Sequence, residues 1–420
     1  MRVRVIVSLA AVVAVLSASL WAAVATAQTI PIAPYQQTSR PTDPQKLQMP
    51  LRAPLTILPS ITVSEEFNDN VLLDNRDRRW DIITGITPAL NVILESSTFR
   101  LSAGYNFTAE LYARDPDRNA AFNRQNFALD TLWRPTEQLT LTLTDAFTFS
   151  TDTNLISSEG VSTGRDRSWS NALAGGAAFR LGTFTTVRGG ASYTVQRFNA
   201  SDLEDSDVYR VNVGLDRALT RFFTGTLDYE FAYFDIRHEP KTWTHTPRIG
   251  FSYRVTESIT VAASGGPTFE IKEDDAGDRV TPAVTASYAQ RTFFGGIGAN
   301  FDRRVSTAGG LSGTTDNTSF GFNIDVNTLT RGLTLSFAPR YSIVESPDSN
   351  RVDIHSFTIP LVATYRLTAW LAAVASYQFY QQRSDSTVRT SSGRRIAEDA
   401  DQNRLFVGLQ FGYPITFDRP

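Results

Sequence analysis

Cysteine is absent from the chain, which excludes disulfide staples and a lipid attached through a processed cysteine. Histidine is nearly absent: His238, His245 and His355 stand far apart. Neither Cys/His clusters nor His/carboxylate spacings of the kind that hold a metal occur, so no metal or cofactor is expected. Lysine is scarce beside arginine and the formal net charge is -3, whereas a nucleic-acid partner would want a basic excess. Past the first 24 residues there is no long apolar run, and mean hydropathy is -0.19. A helical membrane protein is thereby excluded. A membrane barrel is not, because its lipid-facing and lumen-facing residues alternate and cancel in any sliding average.

What is present begins with a processing signal. Arg2 and Arg4 are positive, an apolar stretch runs from Val5 to about Val24, and Ala25-Thr26-Ala27 is a small-x-small cleavage site. Roughly 20 apolar residues could also anchor in a bilayer. Ala and Ser dilute this stretch and the cleavage site ends it, so residues 1–27 read as a secretory signal peptide that is removed. Pro31, Pro34, Pro41, Pro44, Pro50, Pro54 and Pro59 follow. Proline at this density supports neither ladders nor helices. Residues 28–58 therefore read as an extended periplasmic tether, too short for a plug, and 59–420 as one domain.

Along that domain hydrophobicity alternates with a period of two. Phe223, Leu227, Tyr229, Phe231 and Tyr233 share one parity; Thr224, Thr226, Asp228 and Glu230 share the other. Phe320, Phe322, Ile324 and Val326 alternate with Ser319, Gly321, Asn323 and Asp325. The last segment runs Leu405, Val407, Leu409, Phe411, Tyr413, Ile415, Phe417. A soluble β-sandwich also alternates, since its strands bury one face. Length separates the two: sandwich strands average about five or six residues, and a tilted membrane strand needs about 9–11. Several runs here reach the membrane length. Asp145 and Glu65 fall on the apolar parity of their neighbours, as a β-bulge or a rim position would allow.

Connection lengths form a second, independent regularity. Tight turns are expected at Glu95–Thr98, Pro135–Gln138, Gly182, Thr220-Arg221, Thr256-Glu257, Arg291-Thr292, Arg331-Gly332 and Thr368-Ala369. They alternate with polar segments at 69–78, 114–121, 152–166, 199–206, 238–241, 272–278, 304–317, 346–351 and 384–400. Short periplasmic turns on one rim and longer outer loops on the other characterise a bacterial outer-membrane barrel. The expected fold is all-β: a closed antiparallel transmembrane β-barrel of about 18 strands, with both termini at the periplasmic side.

Little points to catalysis. His355-Ser356 invites comparison with barrel-borne hydrolases, but adjacent strand residues face opposite ways and cannot form a dyad. Gly295-Gly296-Ile297-Gly298 lies within a strand and eases its curvature rather than cradling phosphate. Gly309-Gly310-Leu311-Ser312-Gly313 reads as a flexible outer loop. What remains is the polar parity. It makes Arg100, Glu110, Asp130, Arg188, Arg210, Asp228, Glu230, Arg248, Asp325 and Arg340 candidates to line the lumen, beside Asp81, Arg180, Asp216, Arg254 and Arg366. The two signs nearly balance. One reading is cross-strand ion pairs that hydrate the wall; the other is a conduit whose guanidinium groups hold carboxylates or phosphates bidentately. A wall this wide is not filled by its own side chains, and no outer loop is long enough to read as a plug. Passive conduction is the expected default.

Pro59-Ser60-Ile61-Thr62-Val63-Ser64-Glu65-Glu66-Phe67-Asn68-Asp69-Asn70-Val71, followed by Trp80-Asp81-Ile82-Ile83-Thr84-Gly85-Ile86-Thr87-Pro88-Ala89-Leu90-Asn91-Val92, resembles the opening of the β-barrel porin 2 family. There a strand ends in an acidic, Asn-rich E-x-N-D-N turn and the next is broken by a mid-strand proline. The resemblance implies an outer-membrane channel, and for several members of that family a link to exopolysaccharide secretion. It carries over no catalytic residue.

The leading expectation is an outer-membrane channel passing hydrophilic solutes or a secreted exopolysaccharide, without catalysis. The alternative is a structural or adhesion barrel with an occluded lumen, whose outer loops such as 152–166 and 384–400 bind a surface partner. Expected partners are outer-membrane lipid and lipopolysaccharide, the barrel-assembly machinery, and polysaccharide export proteins. Phe411, Tyr413 and Phe417 fit the aromatic-rich final strand that assembly machinery reads, although Asp418-Arg419-Pro420 follow. Without an obvious latching loop, a monomer is expected.

Overall fold

A computed structural model describes residues 55–156, 160–273, 278–311, 313–327, 329–346, 352–385 and 397–417. The expected signal peptide and the tether as far as residue 54 lie outside the described residues. Strand β1 (Leu55–Asn68) begins four residues before the expected boundary at 59.

The strands are inside-out relative to those of a soluble protein. In β1, Ile61, Val63 and Phe67 are exposed, while Thr62, Ser64, Glu66 and Asn68 are buried. The same inversion recurs around the wall, where Val213 is 52%, Leu227 55% and Ile249 69% exposed. Apolar surface this continuous is stable only against lipid.

All pairing is antiparallel, and each crossing of the wall pairs with the crossings next to it along the chain. The sheet closes because β1 pairs on one side with β2 (Asp81–Glu95) and on the other with β19 (Ala400–Gly412). Twenty ladder segments form the wall. Two of them, β15 (Leu333–Phe337) and β16 (Arg340–Glu345), are halves of one crossing interrupted at Pro339; both pair with β14 (Thr314–Val326) and β17 (Asp353–Arg366). Likewise β20 (Ile415–Phe417) continues β19 beyond Pro414 and pairs with Leu55–Ile57. The barrel therefore has 18 crossings. Proline supplies no N–H to a ladder, which accounts for both interruptions.

Tight turns gather on one rim with Leu55 and Phe417, and the longer loops gather on the other. The turn between β12 (Arg279–Thr292) and β13 (Gly295–Thr307) is Phe293-Phe294, two residues past its expected place. Aromatic side chains ring the outer face. Toward the loop rim, Tyr193, Tyr209, Tyr233 and Trp243 form a row across β7 (Thr185–Phe198), β8 (Ser206–Ala218), β9 (Phe223–Ile236) and β10 (Thr242–Arg254), with centroids 4.8, 6.0 and 5.8 Å apart. Toward the turn rim, Trp370 stacks on Phe411 at 6.2 Å and Phe223 on Phe251 at 5.7 Å. Two such girdles mark the interfaces of a membrane barrel.

Asp145 and Glu65 need no bulge. The register runs unbroken past Asp145 on both sides, and both carboxylates share the outer parity. Each has a partner there: Asn171 Nδ2 donates to Asp145 at 2.7 Å, and Thr84 Oγ1 donates to Glu65 at 2.9 Å. Pairing within the outer face satisfies them, as a polar group at membrane depth requires.

Candidate functional site

The inner wall divides into two zones. In the zone nearer the turn rim, ion pairs cross between strands and are partly hydrated. Arg188 on β7 donates to both carboxylate oxygens of Asp216 on β8 (2.6 and 2.8 Å) and to Asp228 on β9 (2.8 Å). Their side chains retain 36, 25 and 26% exposure. Arg248 on β10 faces Glu230 at 3.5 Å. Asp325 on β14 accepts from Ser336 Oγ at 3.0 Å and Asn323 Nδ2 at 3.1 Å. Arg340 sits on β16 opposite Gly321 and Thr358. Arg100 on β3 (Phe99–Tyr112) and Asp130 on β4 (Ala120–Trp133) lie on adjacent strands, opposite Leu132 and Ser102. Among the ten candidates, Arg188 meets Asp228 and Glu230 meets Arg248, and Arg100 and Asp130 are diagonal neighbours on adjacent strands.

Toward the loop rim the interior is dry. Glu110 belongs here, within a cluster the sequence does not announce. Arg404 on β19 donates to both oxygens of Glu66 (2.7 and 2.9 Å) and lies 3.2 Å from Asp152. Arg124 bridges Glu110 (2.8 Å), Glu66 (3.3 Å) and Asp152 (3.7 Å). Arg165 completes the set beside Asp152 and Glu110 and donates to the Tyr112 hydroxyl. Three guanidinium groups thus meet three carboxylates from six strands. A buried charge is tolerable only when paired and hydrogen-bonded in this way. Parity alone could have flagged Glu66 and Arg404, but not their meeting across the closing seam.

The acidic turn after β1 fastens the same seam. Asn403 donates its backbone N–H and side-chain amide to Asp69, each at 2.7 Å. Asn70 Nδ2 reaches the Asp401 carbonyl at 2.9 Å, and Gln402 Nε2 reaches Asn70 O at 2.9 Å. Its Asn and Asp residues do more than permit a turn; they tie the first strand to the last.

The described parts of the outer loops fold into the mouth of the barrel, although none is long enough to read as a plug. Gln382 on β18 (Leu371–Ser384) accepts from Ser162 N and donates to Ser162 O, both at 2.8 Å, and Tyr380 donates to Gly160 O at 2.9 Å. Val161, Leu203, Ala308, Leu311, Val352 and Ala397, from five loops, pack with Val344 and Ile354 into a dry core. The segment expected to be a flexible Gly-rich outer loop is part of it: Gly309, Gly310 and Leu311 are buried, while Ser312 lies outside the described residues. Each loop contributes one or two apolar residues, too few to show a period, so the core is invisible along the chain.

Arg210 belongs to this boundary. Its guanidinium lies 5.2 Å from the Phe234 ring centroid and donates to Val305 O at 3.4 Å. His245 and His355 occupy the outer face, hydrogen-bonded to Tyr229 and Tyr341 at 2.6 Å each, while Ser356 is buried on the inner face.

The family model of the autotransporter beta-domain matches residues 292–419. No curated protein matches the chain. Among solved structures, Pseudomonas aeruginosa OpdO is similar over 86% of this chain and 97% of its own, at 13% identity and a TM-score of 0.42. Acinetobacter baumannii OccAB4 is similar over 86% and 98%, at 8% identity and 0.43. Pseudomonas aeruginosa OccK2 (OpdF), solved in complex with glucuronate, gives 86% and 98%, at 11% identity and 0.42.

Proposed function

We propose that this chain is an outer-membrane channel that passes hydrophilic solutes through a polar lumen, with the turn rim and both termini in the periplasm. The gradient along the inner wall carries the reading. Charged pairs near the turn rim are a quarter to a third exposed, whereas those under the loops are nearly dry, with Arg404 at 4% and Asp152 at 3%. A wet, charged wall beneath a dry cap suits a solute path with a constriction at the outer mouth. The likeness of residues 59–71 and 80–92 to the β-barrel porin 2 family extends the proposal to a secreted exopolysaccharide, with lipopolysaccharide, the barrel-assembly machinery and polysaccharide export proteins as partners.

Reconstitution in planar bilayers tests it. Discrete ohmic steps are expected, and a membrane that stays sealed at high protein load would refute the reading. A second reading has its own support in the packed loop core: a structural or adhesion barrel with an occluded lumen. That reading requires no conductance, together with surface binding that is lost when residues 386–396 are replaced.

A further inference from the structure

The ladder between β12 and β13 stops early. It runs from Thr292 opposite Gly295 to Val284 opposite Arg303 and goes no further. Both strands nevertheless continue. β12 stays paired with β11 (Ile259–Lys272) as far as Arg279, and β13 stays paired with β14 as far as Thr307 opposite Thr314. Residues 279–283 of β12 therefore present an edge with no ladder partner among the described residues. More than half of the segment expected to be a loop, 304–317, is in fact strand.

The hairpin has parted from β12 and bends toward the lumen, while β14 stays in the wall ladder with β16 as far as Asp316 opposite Glu345. Val305 packs with Val208, Ala232 and Phe234 on the inner face of β8 and β9. Thr314 Oγ1 donates to Glu270 at 2.6 Å and Thr281 Oγ1 to Asp316 at 3.1 Å, while Arg279 approaches Asp316 at 3.0 Å. At the tip, Gly310 O accepts from the Glu204 N–H at 2.9 Å. Val305, Thr314 and Asp316 share the parity of Phe301 and Phe320, which pair on the outer face. The surface that would meet lipid, had the hairpin continued up the wall, lies instead on the inner surface of β8–β12.

Proline explains where the ladder gives way. Pro282 stands opposite Pro267. Neither has an N–H, so this is a non-hydrogen-bonded pair, and the donorless side of Pro282 faces β13. Val280 is 64% exposed, and Phe269 and Ile271 beside it are exposed as well. The apolar outer face thus continues up to the unpaired edge, where an open strand is poorly tolerated.

We infer that hairpin 304–317 is a lid with two seats: the inner face of β8–β12, where it rests, and the unpaired edge of β12. Continuing the existing register sets Arg304 opposite Ala283, Val305 opposite Pro282, Ser306 opposite Thr281 and Thr307 opposite Val280. Val305 then turns to the outer face with Asp316 opposite it, whose carboxylate has Arg303 of the same parity 3.6 Å away, while Arg304 and Ser306 face the lumen. The move withdraws Ala308 and Leu311 from the loop core and opens the mouth. This inference rests on the channel reading.

Because the chain has no cysteine, engineered pairs report alone. T281C/S306C bridges the wall seat and V208C/V305C the inner seat. In the full barrel in bilayers, both pairs are expected to oxidise. The first should raise conductance several-fold and the second lower it, each reversed by reductant. Adding Pro282→Val, which restores the missing donor, should speed oxidation of T281C/S306C. If that pair stays reduced while V208C/V305C closes, the hairpin has one seat and the inference fails. If both lock and conductance is equal, the hairpin is no lid, although the channel stands. If both lock and neither form conducts even when reduced, the two seats stand and the channel reading falls.

Discussion

Arg404 sits where the two ends of the barrel sheet meet, holding Glu66 and Asp152 with almost no exposure to solvent. Removing one partner of a buried ion pair leaves the other charge uncompensated, at a cost of about 3–5 kcal/mol. Arg404→Ala should therefore lower the urea midpoint of the folded barrel markedly, read by tryptophan fluorescence in vesicles. Arg188 makes similar hydrogen bonds but is a third exposed, so water screens the loss. Arg188→Ala should barely change stability. It should instead shift the reversal potential in a salt gradient toward cation selectivity, because Asp216 and Asp228 lose their counter-charge; an unchanged potential would remove these residues from the solute path. That Arg188 faces inward was read from parity, and the parity of Leu405 and Val407 could have placed Arg404 there too. Which would be dry was not legible, since that depends on loops distant in sequence.

Among the elements, the strands were legible because each repeats its pattern over its whole length. Hairpin 304–317 was not: its Gly-rich tip and polar flanks resemble a surface loop, yet it carries a ladder to Thr307 and packs inside. Gly310 holds φ +91 at its tip, and a Cβ there would lie 3.1 Å from Phe198 and 3.3 Å from Leu203. A left-handed conformation costs a non-glycine residue roughly 1–2 kcal/mol. Gly310→Ala is expected to loosen the tip, seen as faster proteolysis between residues 304 and 317 and as more frequent open events in single-channel records. Unaltered cleavage would mean that the tip contributes nothing to holding the lid.

At the scale of the whole molecule, the barrel is defined by a dry outer belt. Val213→Arg places a charge in that belt, where arginine near mid-membrane costs about 2–4 kcal/mol. The yield of refolding into vesicles should fall accordingly, and folding at the original yield would show that β8 does not face lipid. Strand number, closure and the choice of lipid face could be read from the chain itself, because alternation and turn length are local properties that each segment carries alone. Only the tertiary structure decided that Glu66 meets Arg404, that five loops share one core, and that the β13–β14 hairpin parts from β12 and bends inward. Those outcomes turn on contacts between residues far apart in sequence, often more than two hundred positions. Single apolar or charged residues in separate loops acquire partners only after the sheet has closed and brought the loops over one opening.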